Sequence, residues 1–367
     1  MTRVLVVATE DPHPATSGIR TRVAAMLAYL EKWAETSLLV VADRPSRVAK
    51  AVSLVRGLPD SRPVYMAYYA SRAGRDAVIA AVDRARPDVV VASGLSAASV
   101  LDDAFPRANT VLDLADAEPE RFRSLGQVGR PVERARWRAD AGLVQRWLAS
   151  HLTEFAAVTV VSRPDHDFYR RLAPTARLHL APNGVDLPPS PRSDPGGAGA
   201  VFVGNFDYPP NRDGLKWLVA DVLPRTRLLR RLRVVGRGPI ANHLLIDARG
   251  FVDDLAPEWR EATLSIAPIR LGGGTRLKVL EAMAHGVPVV ATSVAASGIG
   301  AVAGRDYLAA DEPEAFAAAI DELVVDSSRR RELAVAGRQL AANYRWEVSF
   351  TPLLDLLREL TGVGVGH

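Results

Sequence analysis

Residues 266–292, IAPIRLGGGTRLKVLEAMAHGVPVVAT, gather the residue types that can act on an anion. The stretch reads as a strand, three consecutive glycines, a helix, a Gly-x-Pro turn and a second strand. Gly272, Gly273 and Gly274 permit close backbone approach. A helix starting near Thr275 would offer unpaired N–H groups and the positive end of its dipole, a combination suited to phosphate. Arg276 and Lys278 put formal positive charge into the first turn, where it opposes the dipole unless an anion sits there. The plain alternative is a tight turn with two solvated cations. Glu281, on the same helix between Leu280 and Ala282, is by itself an ordinary surface carboxylate.

Two places in the first half offer polar groups at strand ends. The loop over 9–19 carries Ser17 and Gly18 ahead of Arg20 and Arg22, and on its residues alone it is a strand-to-helix turn. Asp113 and Asp116, with Glu118 and Glu120 beyond, follow a strand and so lie near a cleft mouth, or else form a solvated acidic loop. Other chemistries find no support. The chain has no cysteine, which removes thiol nucleophiles, zinc ribbons and iron–sulfur clusters. Its 7 histidines show no metal-binding spacing, and His285 before Gly286 reads as a helix-terminal cation. Gly-x-Ser-x-Gly is absent, and the turn after the first strand, ATEDPHPATSG, lacks Gly-x-Gly-x-x-Gly, so neither a hydrolase elbow nor a nicotinamide fingerprint is present.

These residues need a scaffold, and the pattern supplies two. With 367 residues, 48% hydrophobic and 24% charged, the chain has the composition of a folded two-domain protein. Strands are expected at 4–8, 37–42, 88–93, 110–112 and 157–161, with helices at 20–33, 72–85 and 131–154 between them. Pro/Gly/Ser-rich PPSPRSDPGGAG then interrupts the pattern as a linker. Alternation resumes with strands at 200–203, 232–235, 264–267, 288–291 and 307–309, and helices at 214–222, 276–285, 314–325 and 329–343. The expectation is α/β: two doubly wound, Rossmann-like parallel-sheet domains facing across a cleft, residues 1–185 and 200–345, joined by a linker over 186–199. Trp346, Phe350, Leu354, Leu357 and Leu360 form an apolar stripe on a last helix over 346–361.

No stretch approaches 18 consecutive apolar residues, and the run at 4–8 is too short for a signal peptide, so the expected address is the cytoplasm. The net charge of +4 comes mostly from arginine, since lysine occurs only at 32, 50, 216 and 278. Basic residues scattered in this way suit small anions, and no nucleic-acid partner is expected. Residues 130–147 carry Arg130, Arg134, Arg136, Trp137, Arg138, Arg146 and Trp147. Either a weak peripheral contact with the inner face of a membrane or a solvated basic helix face accounts for them.

Five ordered motifs, APNGVD (181–186), VFVGNFDYPPNRDGLKWL (201–218), VVGRGP (234–239), GFVDDL (250–255) and GGGTRLKVLEAMAHGVPVVAT (272–292), resemble the C-terminal half of family 4 glycosyltransferases. The resemblance is strong over 160–350 and holds only in outline before that. It implies the GT-B fold and transfer of a sugar from a nucleotide-sugar donor to an acceptor hydroxyl, with retention of configuration and without a metal or other cofactor. The acceptor would be a glycan, a lipid or a secondary metabolite, met by the first domain. The resemblance places Glu281 on the donor ribose, Gly204 in the tight loop after the first strand of the second domain, and Gly250 to Val252 at the base. It places Gly18 in a glycine loop closing on the donor, and Asp113 and Asp116 against sugar and acceptor. Arg212 takes the first of two diphosphate-binding cations, with Lys278, Arg276 or Arg270 as the second. Gly273 departs from the family, standing where its first motif Glu would reach the sugar; the amides of Gly273 to Thr275 are the substitute. The final helix would cross back to the first domain.

In this mechanism the N–H groups at Gly272 to Thr275, with Arg212 and Lys278, stabilise the charge growing on the departing diphosphate. Two alternatives share the architecture. A nucleotide-sugar 2-epimerase would use Asp113 and Asp116 for proton abstraction, and a non-catalytic sugar-nucleotide-binding protein would be consistent with Gly273.

Overall fold

The computed structural model describes residues 2–41, 63, 66, 69, 72–101, 105–190, 193–194, 196–197, 199–240, 242–273 and 276–362. The chain divides into two compact units: Met1–Arg123, Ala135–Asn183 and Ser349–His367 form the first, Ser124–Arg134 and Gly184–Val348 the second.

The elements of the first half run β1 (Arg3–Ala8), α1 (Gly18–Leu30), β2 (Glu35–Val40), α2 (Arg72–Ala85), β3 (Val89–Ser93), α3 (Leu95–Leu101), β4 (Thr110–Leu114), α4 (Glu118–Leu125), α5 (Pro131–His151), β5 (Ala157–Val160), α6 (Arg163–Leu172) and β6 (Leu178–Leu180). The strands pair in parallel in the order β2-β1-β3-β4-β5-β6. β3, β4 and β5 are buried along their whole length, as near-continuous Val/Leu/Ala runs covered on both faces must be. Ser17 caps α1 by accepting the Arg20 N–H, and Ser162 caps α6 by accepting that of Asp165.

The second half repeats the scheme with β7 (Gly199–Val203), α7 (Pro209–Trp217), β8 (Arg231–Val235), β9 (Ile246–Gly250), α8 (Ala256–Glu261), β10 (Leu264–Ala267), α9 (Leu277–Ala284), β11 (Val289–Ala291), β12 (Leu308–Ala309), α10 (Pro313–Val325), α11 (Ser327–Ala342) and α12 (Trp346–Thr361). Its strands are again parallel, ordered β12-β11-β10-β7-β8-β9. Trp217 meets Phe316 edge-on at 5.3 Å, and Phe202 meets Phe206 likewise at 5.2 Å, within a core drawn from both faces of this sheet. Each sheet has a point where strand order reverses, between β1 and β3 in the first and between β7 and β10 in the second. Open α/β sheets bind ligands at such points, beyond the carboxyl ends of the strands.

Several elements depart from the sequence expectation. Glu118 and Glu120 do not lie in an acidic loop; they occupy the first turn of α4, where Pro119 is tolerated and carboxylates complement the dipole. α7 starts at Pro209 rather than Gly214, so Arg212 sits on a helix, and residues 218–222 continue it as a π-helical turn. β6 and β9, at the far edges of their sheets, were not expected, nor were α3 and α6. The strand end at Ala42, part of the linker, Lys50, His367 and most of the C-terminal Gly/Val tail lie outside the described residues.

Candidate active site

The site in the second unit is built where β7 and β10 diverge. After β7 the chain turns through Gly204, Asn205 and Phe206 into α7. Gly204 donates its N–H to the Val235 carbonyl at 2.9 Å and Phe206 to that of Arg237 at 2.6 Å, which ties this loop to the one after β8. The approach is close: Gly236 has φ +138°, and a Cβ there would fall 1.8 Å from the Gly204 carbonyl oxygen. Only glycine lets the two loops meet.

Lys278, on the second residue of α9, reaches from the β10 side into this loop. Its Nζ donates to Asn211 Oδ1 at 2.6 Å and lies 5.2 Å from the centre of the Phe202 ring. An ideal Cβ on Gly204 would stand 3.1 Å from it, so the missing side chain makes the recess. No carboxylate of the described residues lies within 4.0 Å of this ammonium. Burial lowers its pKa from the usual 10.5 to about 7, with Arg276 acting in the same direction and Glu281 against it. Glu281, one turn further along α9, shifts the opposite way: burial raises its carboxyl from 4.5 to about 7, Lys278 opposing and Asp186 adding to the rise. Among the described residues the Glu281 carboxylate has no hydrogen-bond partner. The pair presents one cation and one acceptor, neither spent on the other.

The other expected cations sort themselves by partner. Arg270 forms a two-pronged ion pair with Asp213, at 2.9–3.1 Å, and lies over the Trp217 ring. Arg276 donates to the Leu271 carbonyl at 3.1 Å, across Gly272, where a Cβ would stand 2.7 Å from the guanidinium. Arg212 is exposed on the first turn of α7, one residue from Asn211. The Gly272 amide donates to Ser124 Oγ at 2.6 Å. A Cβ on Gly273 would meet nothing within 4 Å. Gly274 and Thr275 lie outside the described residues.

At the sheet's far side Val252 packs against the core, while the exposed Phe251 lies under the Arg237 guanidinium at 4.4 Å. Asp254 accepts the Ala256 N–H at 2.8 Å ahead of α8. His285 ends α9 as the expected terminal residue, its N–H donated to the Glu281 carbonyl and its ring 6.3 Å from Trp259.

In the first unit Gly18 opens α1, beside a Glu10–Arg20 ion pair at 2.8 Å. Asp113 is fully buried, and both its oxygens are engaged. Arg22 donates to them at 2.6 and 2.8 Å, and Thr159 Oγ1 adds a third bond at 2.6 Å. Arg22 also donates to the Pro182 carbonyl and to Asn183 Oδ1. Asp113 therefore anchors a buried arginine, with each of its oxygens engaged. Asp116 pairs with Arg121 at 3.2 Å, and its carbonyl accepts from Tyr169, whose buried hydroxyl is pushed well above the usual tyrosine range. Residues that the sequence reading missed include Asn211, Phe202, Ser124 and the Arg237–Phe251 stack. Phe202 and Asn211 carried a signal, since both fall in the VFVGNFDYPPNRDGLKWL motif; Ser124, distant in sequence, carried none.

Residues 198–326 match the family described as glycosyl transferases group 1. That stretch holds Gly204, Asn211, Arg212, Lys278 and Glu281. The match spans about a third of the chain. A D-inositol 3-phosphate glycosyltransferase of Corynebacterium urealyticum is 37% identical over 86 residues, which span 23% of this chain and 20% of that protein. Two solved structures share the fold along nearly the whole chain. Sucrose-phosphate synthase from Thermosynechococcus elongatus has a TM-score of 0.74 at 17% identity, covering 99% of this chain and all 100% of that one. Anabaena HepE, solved in complex with UDP and glucose, has a TM-score of 0.66 at 13% identity, covering 97% and 100%. The fold is GT-B, with one doubly wound parallel sheet in each unit. No described helix is long and apolar enough to cross a membrane.

Proposed function

We propose that this chain is a group 1 glycosyl transferase that moves a sugar from a nucleoside-diphosphate sugar to an acceptor hydroxyl, with retention of configuration. The observation that carries the reading is the Lys278 ammonium. It is part-buried at the strand-order reversal of the second sheet, lacks a carboxylate partner among the described residues, and sits beside a glycine-rich turn. A diphosphate is the ligand such a group lacks, and UDP in a GT-B relative supports the class.

The geometry supports the following roles. Glu281, whose carboxylate has no hydrogen-bond partner among the described residues, takes the ribose hydroxyls. Lys278, and Arg212 on the neighbouring helix turn, bear on the diphosphate, whose charge grows as the sugar–oxygen bond breaks; a fixed cation is most effective at that point. These side chains supply the positive charge in this reading, which assigns no step to a metal. The backbone near Gly272 and Gly273 contributes N–H groups, and the Gly272 amide changes partner from Ser124 to do so. Gly273 leaves open space for the transferred sugar. Gly18 and Asp116 belong to the acceptor side, and Asp113 acts only through Arg22.

The reading is tested by a thermal-shift screen of UDP-, GDP-, dTDP- and ADP-sugars. A donor at a hundred times its dissociation constant adds about 2.7 kcal/mol of stability. A stabilising donor is then incubated with an acceptor panel, and the anomeric configuration of the product is read by NMR. An inverted product would remove the retaining assignment; an epimerised donor without transfer would replace the reaction.

A further inference from the structure

Lys278 owes its position to a residue that the family comparison does not single out. Asn211 is 8% exposed, on the first turn of α7. Its Nδ2 donates to the Asn205 carbonyl at 2.8 Å, and its Oδ1 accepts from Lys278 at 2.6 Å. Those two bonds fix the amide's orientation. Turned over, it would set its NH2 against the ammonium and its oxygen against a carbonyl, losing both. The β7 loop thus aims one oxygen at Lys278, and the amide contributes no charge.

We propose that Asn211 is the positioning residue for Lys278: clamped by the Asn205 carbonyl, its neutral amide holds the ammonium in the recess between Gly204 and the Phe202 ring, leaving the whole positive charge available to a diphosphate. The inference rests on the donor-binding reading above. A carboxylate at 211 would hold the lysine as well but would neutralise it internally. An apolar residue would leave the charge unmoored. An amide does neither. The charged groups around Lys278 are Arg276 and Glu281 on its own segment, with Asp186 acting on Glu281; the faces turned to it from β7 and α7 are Phe202 and Asn211.

The small lysine count makes the test direct. With lysine only at 32, 50, 216 and 278, full-length protein labelled with carbon-13 at the lysine Cε gives four resonances, and Lys278→Arg assigns the one that matters. Its titration midpoint is followed in the wild type, Asn211→Asp and Asn211→Ser, and pyrophosphate affinity is measured by calorimetry on the same samples. Asn211→Asp should raise the Lys278 midpoint by about one unit or more, since an adjacent opposite charge favours the ammonium, and weaken pyrophosphate at least about tenfold because the anion meets a cation already paired. Asn211→Ser, too short to reach, should lower the midpoint and also weaken pyrophosphate. Opposite shifts cannot come from a general loss of structure, and either variant alone is informative if the other fails to fold. A midpoint that stays put in the folded variants would overturn the assignment. Should the midpoint move as expected while wild-type protein binds neither pyrophosphate nor any nucleoside diphosphate, the donor reading falls and the Asn211–Lys278 coupling stands.

Discussion

Lys278 and Glu281 lie one helical turn apart with their protonation equilibria pulled toward the same pH, and that has consequences for binding and stability. In the free protein Glu281, raised to about 7, keeps its proton in a range where the unfolded chain has lost it, so its contribution to stability falls as pH rises from 4.5 to about 7. Lys278, lowered to about 7, has shed a proton that the unfolded chain still holds, so its contribution recovers between about 7 and 10.5. A bound diphosphate favours the ammonium and ribose hydroxyls favour the carboxylate. Nucleoside diphosphate binding should therefore take up a proton at pH 8 and release one at pH 6, seen in calorimetry as a dependence of the observed heat on buffer ionisation enthalpy with opposite sign at the two pH values. Heats independent of buffer at both would show that neither group changes protonation on binding. Glu281→Gln keeps the shape and removes one acceptor oxygen. Charge-assisted bonds of this kind contribute about 1.5–3 kcal/mol, so affinity for the free nucleoside diphosphate should fall by roughly tenfold to a hundredfold. Unchanged affinity would take Glu281 out of the ribose contact. The sequence made Lys278 and Glu281 legible as residue types at the right spacing. It did not show that Arg270 is spent on Asp213, because that pairing depends on α7 beginning at Pro209.

Most strands and long helices were legible because their burial is written in apolar residues at a regular period. β3 and β10 are buried Val, Leu, Ile and Ala with one Ser each, and α2 spans the expected Arg72–Ala85. What escaped is polar or short. β9, IDARG, sits at a sheet edge with no residue fully buried, and its alternation of Ile246 and Ala248 with charged residues is too short to stand out. α6, RPDHDFYRRL, turns Asp165 and Tyr169 inward, so its buried face is marked by a carboxylate and a phenol rather than by aliphatic side chains. The same polar burial explains Asp113. A lone Asp after a strand looks like a cleft residue, yet its partner Arg22 lies 91 positions earlier, and nothing local announces the pair. Breaking a buried ion pair by removing one partner costs about 3–5 kcal/mol, because the remaining charge is stranded. Asp113→Ala should lose stability on that scale in urea denaturation monitored on the first unit. A variant with wild-type stability and impaired transfer would restore Asp113 to the chemistry.

The chain crosses between its units four times, at Arg123/Ser124, Arg134/Ala135, Asn183/Gly184 and Val348/Ser349, and the last two passages are stitched within each unit. In the second, Val185 bridges to Arg345, and Gly184 lies so close to Trp346 that a Cβ would come within 2.4 Å of the indole. In the first, Phe350 packs against Tyr29 at 6.2 Å and beneath the Arg22 guanidinium at 5.3 Å, while Phe350, Leu353, Leu354, Leu356 and Leu357 are buried along α12. The apolar stripe was evident from sequence; its docking surface on α1 was not, since no periodicity encodes a contact over 300 residues. Truncation after Tyr344 uncovers side chains contributing roughly 1.5–3 kcal/mol each. Hydrogen exchange should then accelerate in α1 and around Asp113, and acceleration confined to 199–343 would contradict the packing. The function proposed for the whole molecule is sugar transfer with the leaving diphosphate met by Lys278. It is tested most directly by the donor that the thermal-shift screen selects, comparing turnover and donor affinity of the full chain with Lys278→Ala. Turnover should fall on the order of a hundredfold or more while the donor dissociation constant changes far less, because the charge acts mainly as the bond breaks. Equal losses in turnover and affinity, or no loss in either, would contradict it.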